Sequence, residues 1–330
     1  KLKLTCAHAI VKHLIAQKIL IDGKKQPLFP GVFGIFGHGN VACLGQALEE
    51  NKDKLPTYRG HHEQNMALTG VAYSRAKRRK QIFIATSSVG PGSTNLLTAA
   101  AVAMSNRIPI LFLPGDTYAN RMPDPVLQQV EHFNNPGITA NDAFKSVTRY
   151  FDRITRPEQI LQSLPQAIQL MIDPADAGPA CLSLCQDIQG ETFDYPEEFF
   201  KERVHNIRRP KPDDFEIKKA AEKIKSCKNP IIISGGGVFY SDAMEELGNF
   251  AIKHNIPVTQ TVMGYSTMKR DHSHFLGPIG GLGGKAANNF AKKTDLAIAI
   301  GTKLADFTTG SWANFENPEF GLVSLNITRH

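Results

Sequence analysis

The sequence has no C-x-x-C pair, and its five cysteines, Cys6, Cys43, Cys181, Cys185 and Cys227, are an odd number. That argues against a disulfide framework and against a zinc site, and reads the cysteines as buried, reduced, small hydrophobes. No apolar run is long enough to cross a bilayer, and no basic segment leads into an apolar one at the start. Nothing therefore reads as a signal peptide or a membrane span, and the expectation is a cytoplasmic protein without a membrane partner. The formal net charge of +7 is the one hint of polyanion binding. Its basic residues are scattered, and the single tight run, Lys77-Arg78-Arg79-Lys80, falls where a helix hands over to a strand, a place where cations favour the helix dipole. No stacking aromatics interleave with it, so nucleic acid is not an expected partner. His272-Ser273-His274 lacks a third ligand at metal-binding spacing and fits a polar loop pair, so no residue is assigned to a metal.

The apolar content suffices for two cores. The chain has 330 residues, 42% of them hydrophobic, and domains average ~150 residues. Thr5 to Leu20 carries apolar residues at helical spacing, and Asp22-Gly23-Lys24-Lys25 is a polar turn. Phe33 to Gly39 reads as a buried strand and a Gly-rich turn, with Asn40 as N-cap of a helix from Val41 to Glu50. Gly37 and Gly39 would let a ligand approach the backbone, although an ordinary tight turn has the same pattern. Leu55 to Tyr58 is extended, Glu63 to Ala76 helical, Gln81 to Thr86 a strand, Gly92 to Ser105 a helix and Pro109 to Leu113 a strand. A stretch without clear pattern follows from Arg121 to Gln129; Pro157 to Ile172 is a helix and Pro179 to Leu184 a strand.

Residues 188–212 shift to Glu, Asp, Phe, Lys and Pro and read as a surface linker between a domain at 1–187 and another at 213–330. The second domain repeats the alternation: helix Asp214 to Ser226, strand Pro230 to Ser234, helix Asp242 to His254, strand Pro257 to Thr261, helix Lys285 to Lys292, and strands Leu296 to Gly301 and Leu322 to Ile327. The expected architecture is α/β, with two doubly wound parallel-sheet domains. Gly235-Gly236-Gly237 could cradle a nucleotide, but the full G-x-G-x-x-G spacing is missing, which leaves a spacer domain as the other reading. In the first domain, His38, Glu63, Gly90 to Asn95 and Gly115-Asp116 all fall at the carboxyl ends of strands, so four loops are expected on one rim.

Glu63 is the most informative residue of that rim. It opens a helix whose Met66, Ala67, Leu68, Val71 and Ala72 are apolar, so its carboxylate is expected in a partly desolvated interface. A carboxylate at a helix start also serves as an ordinary dipole or capping group. Burial without a fixed positive partner instead raises a glutamate pKa and makes it a proton donor near neutral pH, with a heterocyclic nitrogen as a fitting acceptor.

His62-Glu63-Gln64-Asn65-Met66-Ala67 and Thr86-Ser87-Ser88-Val89-Gly90-Pro91-Gly92-Ser93-Thr94-Asn95 resemble two motifs of the thiamine-diphosphate-dependent enzymes, such as acetolactate synthase, pyruvate oxidase and benzoylformate decarboxylase. Ser88-Val89 lengthen the second motif by two residues. With Phe36 to Val41 and Asp124 to Gln129, this looks like the inositol-catabolic branch, which opens the ring of a cyclic diketone to give 5-deoxyglucuronate. The resemblance covers essentially the whole chain, as a pyrimidine-binding domain and a degenerate Rossmann-like central domain. It implies thiamine diphosphate as cofactor, with Glu63 on the pyrimidine N1′ and Gly37, Gly39, Pro91 and Asn95 around it. Gln128 and His38 are implied near the reacting centre, with His61 a further candidate for substrate hydroxyls. It also implies Mg²⁺ and a homodimer or homotetramer.

The family's G-D-G motif and its asparagine partner do not occur: Gly115-Asp116 is followed by Thr117, and no Gly-Asp-Gly precedes Asn288-Asn289. The expectation is that the diphosphate and Mg²⁺ domain is absent and that this chain alone is inactive. An acetolactate-synthase-like carboligase, with or without flavin, and a non-catalytic nucleotide-binding or assembly module are the other readings.

Overall fold

Strand β1 (Leu2–Thr5) ends on Thr5, whose hydroxyl accepts from the His8 amide and so caps helix α1 (Cys6–Ala16). The helix stops four residues before the expected Leu20, because Gln17–Ile21 forms strand β2 instead. Gln17 and Ile19 are buried while Leu20 is exposed, a period of two. Asp22 and Gly23, at φ 50° and 72°, then turn β2 back onto β3 (Lys24–Pro27). Positive φ at both central residues matches the twist of an antiparallel hairpin, so the turn chemistry overrides the helical spacing before it. The structure is a computed structural model that describes residues 1–120, 122–123, 125–130 and 132–328, in two units, 1–208 and 209–330.

The first unit is built on β4 (Val32–Ile35), α2 (Gln46–Glu49), β5 (Thr57–Tyr58), α3 (Glu63–Ala76), β6 (Ile84–Ser87), α4 (Pro91–Thr94), α5 (Leu97–Asn106), β7 (Leu111–Phe112), β8 (Gly115–Asp116), β9 (Tyr150–Ile154), α6 (Ile160–Ile172) and β10 (Ala180–Cys185). All pairings of its main sheet are parallel, in the order β5-β4-β6-β7-β10, with β9 and β8 also on β10. β10 is buried along its whole length, as a strand covered on both faces must be. β7 and β8 lie along the same partner strand and are separated by Leu113-Pro114, where proline has no N–H for the ladder. From β4 the chain goes to β5 on one side and then to β6 on the other. The ends of β4 and β6 therefore form the switch point at which α/β sheets open a crevice.

Two expected helices differ. Asn40 does not cap: its Oδ1 accepts from the Gly37 amide at 3.0 Å and its Nδ2 donates to Thr86 Oγ1 at 3.0 Å, after which Val41–Gly45 is a wide π turn leading into α2. The helix expected from Gly92 to Ser105 is two pieces, α4 and α5, so that the start of α4 faces the rim independently of α5.

Residues 188–207 are not a surface linker. They hold β11 (Thr192–Tyr195), antiparallel to β1, and β12 (Arg203–His205), parallel to β2. Tyr195 is fully buried, with its hydroxyl donating to the Pro157 carbonyl at 2.9 Å. The Glu- and Asp-rich composition hides an aromatic set, Phe193, Tyr195, Phe199 and Phe200, that packs against the first core. The unit boundary accordingly falls between Arg208 and Arg209. Arg121 and Asp124 of the irregular stretch, and Arg329 and His330 at the end, lie outside the described residues.

His13 and His205 are buried in this same region, and both are lowered from the ordinary imidazole value to about 4. Burial is the main cause; for His13 the bond to the Phe199 carbonyl opposes it, while His205 and Arg203 add to it. Above the unfolded value both rings are neutral in either state, so they do not affect stability there. As pH falls from about 6.5 to about 4, the unfolded chain takes up protons that the folded chain refuses, and stability is lost. For His13 the loss is on the order of 3 kcal/mol. Urea midpoints at pH 7 and pH 5 check this: the wild type should lose stability and His13→Gln should lose less, whereas equal losses would refute the assignment.

The second unit comprises α7 (Asp214–Ser226), β13 (Pro230–Ser234), α8 (Gly236–Tyr240), α9 (Met244–His254), β14 (Val258–Gln260), β15 (Phe275–Pro278), α10 (Lys285–Lys293), β16 (Leu296–Ile300), α11 (Asp306–Thr309) and β17 (Gly321–Leu325). Its sheet is all parallel in the order β15-β14-β13-β16-β17, the doubly wound arrangement. Ile232 and Ile298 point into one core with Leu247 and Ala251 of α9, while Ile231, Ile233 and Ala297 point into the other with Ala287 and Ala291 of α10. Sequence periodicity does not reveal β15, since Gly277 at φ 93° and a bulge break its alternation. The triple-glycine turn is closed rather than open. The Gly235 and Gly237 amides donate to the Ile300 and Gly301 carbonyls at 2.8 and 2.9 Å, and a Cβ on Gly237 would lie 2.5 Å from Gly301 Cα. Backbone fills the switch point between β13 and β16, which favours the spacer reading over a phosphate cradle.

His272 and His274 sit in the loop before β15, where His274 Nε2 is 3.0 Å from Asn255 Oδ1. Cys6, Cys181 and Cys185 are buried, Cys43 and Cys227 are half-buried, and none of the five forms a disulfide among the described residues. Among the described residues no helix is long and apolar enough to cross a membrane.

Candidate functional site

The rim at the carboxyl ends of β4, β5 and β6 places Glu63 as the first residue of α3, where the partial positive charge of the helix end favours a carboxylate. The sequence folds so locally because Met66, Ala67, Gly70, Val71 and Ser74 bury one stripe of α3. Ala72, expected on the apolar side, is exposed. Glu63 is half-buried, and the Asn95 amide donates to its Oε2 at 3.0 Å. Its Oε1 makes no hydrogen bond among the described residues and lies over Gly92, where a Cβ would come within 3.3 Å of it. One carboxylate oxygen is held and the other is open.

The two turns that flank the crevice lock together. The Val89 amide donates to the His38 carbonyl at 2.8 Å, and Gly37 and Gly39 lie against Ser88 and Val89 so closely that side chains there would crowd them. His38 Nδ1 is 3.0 Å from Gln186 Oε1, beyond the end of β10. Pro91 begins α4 and is exposed, as is Asn95 just past its end. Gln128 is exposed at φ 65°, and its backbone carbonyl, not its side chain, meets Gly90. His61 is exposed as well.

Gly90 has φ 68°, and a Cβ on it would overlap the Gln128 carbonyl oxygen. Gly90→Ala should therefore cost roughly 1–3 kcal/mol of backbone strain and displace the 128–130 loop from the rim. Thermal denaturation together with cofactor titration checks this; an unchanged midpoint with unchanged affinity would refute it.

Asp116 departs from expectation. It is 1% exposed and turned inward, with Arg153 Nε donating to its Oδ2 at 2.8 Å and the Ser183 hydroxyl donating to the same oxygen. Arg153 also donates to Asp142 Oδ2 at 2.7 Å. Asn141 donates to Ser183 Oγ at 2.7 Å and to the Gly115 carbonyl at 2.9 Å, and it accepts from the Ser93 hydroxyl on α4. The fourth loop of the rim thus supplies a buried network behind α4 rather than an open acid. Sequence reading missed Asn141, Arg153 and Ser183; the capping box Thr139 to Asp142 was a visible signal that this stretch is ordered.

Two family matches divide the chain in the same way as the fold. "Thiamine pyrophosphate enzyme, N-terminal TPP binding domain" matches residues 18–135, and "Thiamine pyrophosphate enzyme, central domain" matches residues 217–330. Over 328 residues, 99% of the chain and 51% of the relative, the chain is 48% identical to a protein of Clostridium perfringens (strain 13 / Type A) named 3D-(3,5/4)-trihydroxycyclohexane-1,2-dione hydrolase. A protein of the same name from Clostridium tetani (strain Massachusetts / E88) is 48% identical over 327 residues, with the same shares covered. Another of that name, from Bacillus cereus (strain AH820), is 48% identical over 326 residues, again 99% of the chain and 51% of the relative. The chain spans about half the length of the curated relatives it matches.

Proposed function

Because the chain belongs to the thiamine pyrophosphate enzymes, of which it carries the N-terminal TPP binding and central domains, we propose that it serves a thiamine-diphosphate-dependent carbon–carbon hydrolase. The proposed substrate is 3D-(3,5/4)-trihydroxycyclohexane-1,2-dione, opened to 5-deoxy-D-glucuronate in inositol catabolism. Identity of 48% across 99% of the chain to relatives of that name supports the substrate. The observation that carries the chemistry is Glu63, a half-buried carboxylate at a helix start with one oxygen held by Asn95 and the other without a partner among the described residues.

Those features fit the cofactor. The pyrimidine ring presents a nitrogen that needs an acid, and Gly92 leaves room beside the open oxygen where a Cβ would crowd it. When bound, thiamine diphosphate supplies an acidic thiazolium carbon and an electron sink for the acyl fragment. Glu63 holds the proton exchanged with N1′ at Oε1, while Asn95 stops the carboxylate from rotating away. The turn from Gly37 to Gly39 and the start of α4 at Pro91 form the walls of the crevice. His38, steadied by Gln186, takes substrate hydroxyls, and Gln128 lies at the mouth. In the net reaction one water is consumed: its oxygen ends on the acyl carbon as the new carboxylate, and a proton goes to the carbon released. Mg²⁺ accompanies the diphosphate and is not assigned to the Glu63 rim, which offers a single open carboxylate. A homodimer or homotetramer in the cytoplasm completes the reading.

The test is turnover of the dione by the full-length protein with thiamine diphosphate and Mg²⁺. Ring opening to a carboxylate is the expected result. Acetolactate formed from pyruvate with no loss of dione would replace the reading with a carboligase.

A further inference from the structure

A second cleft of the first unit, about 260 Å³, lies between α1, α6 and β12 and shares no lining residue with the Glu63 rim. Its floor holds His13, which is 6% exposed and whose Nε2 has no hydrogen-bond partner among the described residues. The ring is fixed in place: it stacks on Phe199 with centroids 4.0 Å apart, and its Nδ1 lies 2.7 Å from the Phe199 carbonyl oxygen. A carbonyl only accepts, so Nδ1 carries the proton and Nε2 presents a bare lone pair in the neutral ring. Gln17 beside it is engaged at both side-chain atoms, donating to the His13 carbonyl at 2.8 Å and accepting from His205 Nε2 at 2.9 Å. His13 is thus the buried group of the floor with an open valence, and leaving it unmet costs free energy. At the mouth, Arg203 and Arg208 are exposed and make no ion pair among the described residues. The wall carries one acid, Asp173, whose Oδ1 accepts from the Ala175 and Asp176 amides. Two guanidiniums against one carboxylate leave the cleft with a net positive lining.

We propose that this cleft is a binding site for a small hydroxylated carboxylate, with Arg203 and Arg208 taking the carboxylate and His13 Nε2 accepting a hydrogen bond from a hydroxyl group. An anion that only accepts would meet the His13 lone pair unfavourably, whereas an alcohol without charge would leave the guanidiniums unused. The volume is below the range of roughly 300–1,000 Å³ usual for drug-sized ligands, which suits a short polyhydroxy acid. If the proposed reaction holds, its ring-opened product belongs to this class, so the cleft would sense product; that link alone rests on the functional reading.

Calorimetric titration of the purified protein with gluconate, acetate, glycerol and inorganic phosphate, without turnover, tests the site. Gluconate should bind saturably, ~10-fold or more tighter than acetate or glycerol, and should shift the His13 imidazole resonance. Arg203→Ala combined with Arg208→Ala, both exposed positions, should weaken gluconate by a similar factor, and His13→Phe should bring it down to the level of acetate. Absent saturation, binding indifferent to the arginine pair, or binding of phosphate in preference to gluconate would each overturn the proposal. Glu63→Gln should leave gluconate binding unchanged, which separates failure of this site from failure of the proposed reaction.

Discussion

In the full-length protein, Glu63→Gln should lower turnover by ~10²–10⁴-fold, the usual contribution of one positioned acid or base, while leaving the fold and its thermal midpoint close to wild type. The amide keeps the size of the side chain and can still meet the Asn95 amide group through its oxygen, but it can no longer hold an exchangeable proton at the position of Oε1. The readout that separates chemistry from folding is hydrogen–deuterium exchange at C2 of the bound cofactor, which should slow with turnover. Asn95→Ala should give a smaller loss in the same direction, because it frees the carboxylate to rotate without removing it. Glutamine supporting exchange at the wild-type rate would refute the role given to Glu63.

Arg153→Ala should destabilise the first unit by about 3–5 kcal/mol, the range for removing one partner of a buried ion pair. Asp116 is 1% exposed and its Oδ2 relies on Arg153 Nε at 2.8 Å, so the substitution leaves a carboxylate inside the protein without its cation, held by two neutral donors, the Ser183 hydroxyl and the Thr117 amide. Arg153 also ties in Asp142, which is lowered to about 2: burial acts upward on it, and is outweighed by Lys145, the Thr139 amide and Arg153. The damage should reach the rim, because Asn141 in the same network accepts from Ser93 of α4. Urea denaturation measures the loss. The double variant Arg153→Ala with Asp116→Asn should recover part of it, since a neutral amide costs less to leave without its partner. If the single variant loses under ~1 kcal/mol, the range for an exposed pair, then the ion pair is not the buried anchor described.

Some of this was legible from the residues alone. The start of α3 at Glu63, the start of α7 at Asp214 and the span of β13 follow from local signals: an apolar stripe with a charged helix start, an N-cap at Asp213, and a run of isoleucines. Where local signals competed, reading them singly misled. Helical spacing through Leu20 lost to the positive-φ turn at Asp22-Gly23, and Asn40 spent its side chain on Gly37 and Thr86 instead of capping. The acidic run after residue 188 concealed two strands, because their partners, β1 and β2, lie at the other end of the unit's sequence.

Residue order alone dictates the alternation of strands and helices, the two units and the carboxylate at the head of α3, since periodicity, caps and turns act over a few residues. Which groups those carboxylates and imidazoles meet is settled by folding in three dimensions. Asp116 reaches Arg153 across 37 positions, Glu63 reaches Asn95 across 32, and His13 and Gln17 reach Phe199 and His205 across 186 and 188. Such contacts leave no periodic trace in the chain, because they depend on how a parallel sheet brings distant strand ends side by side.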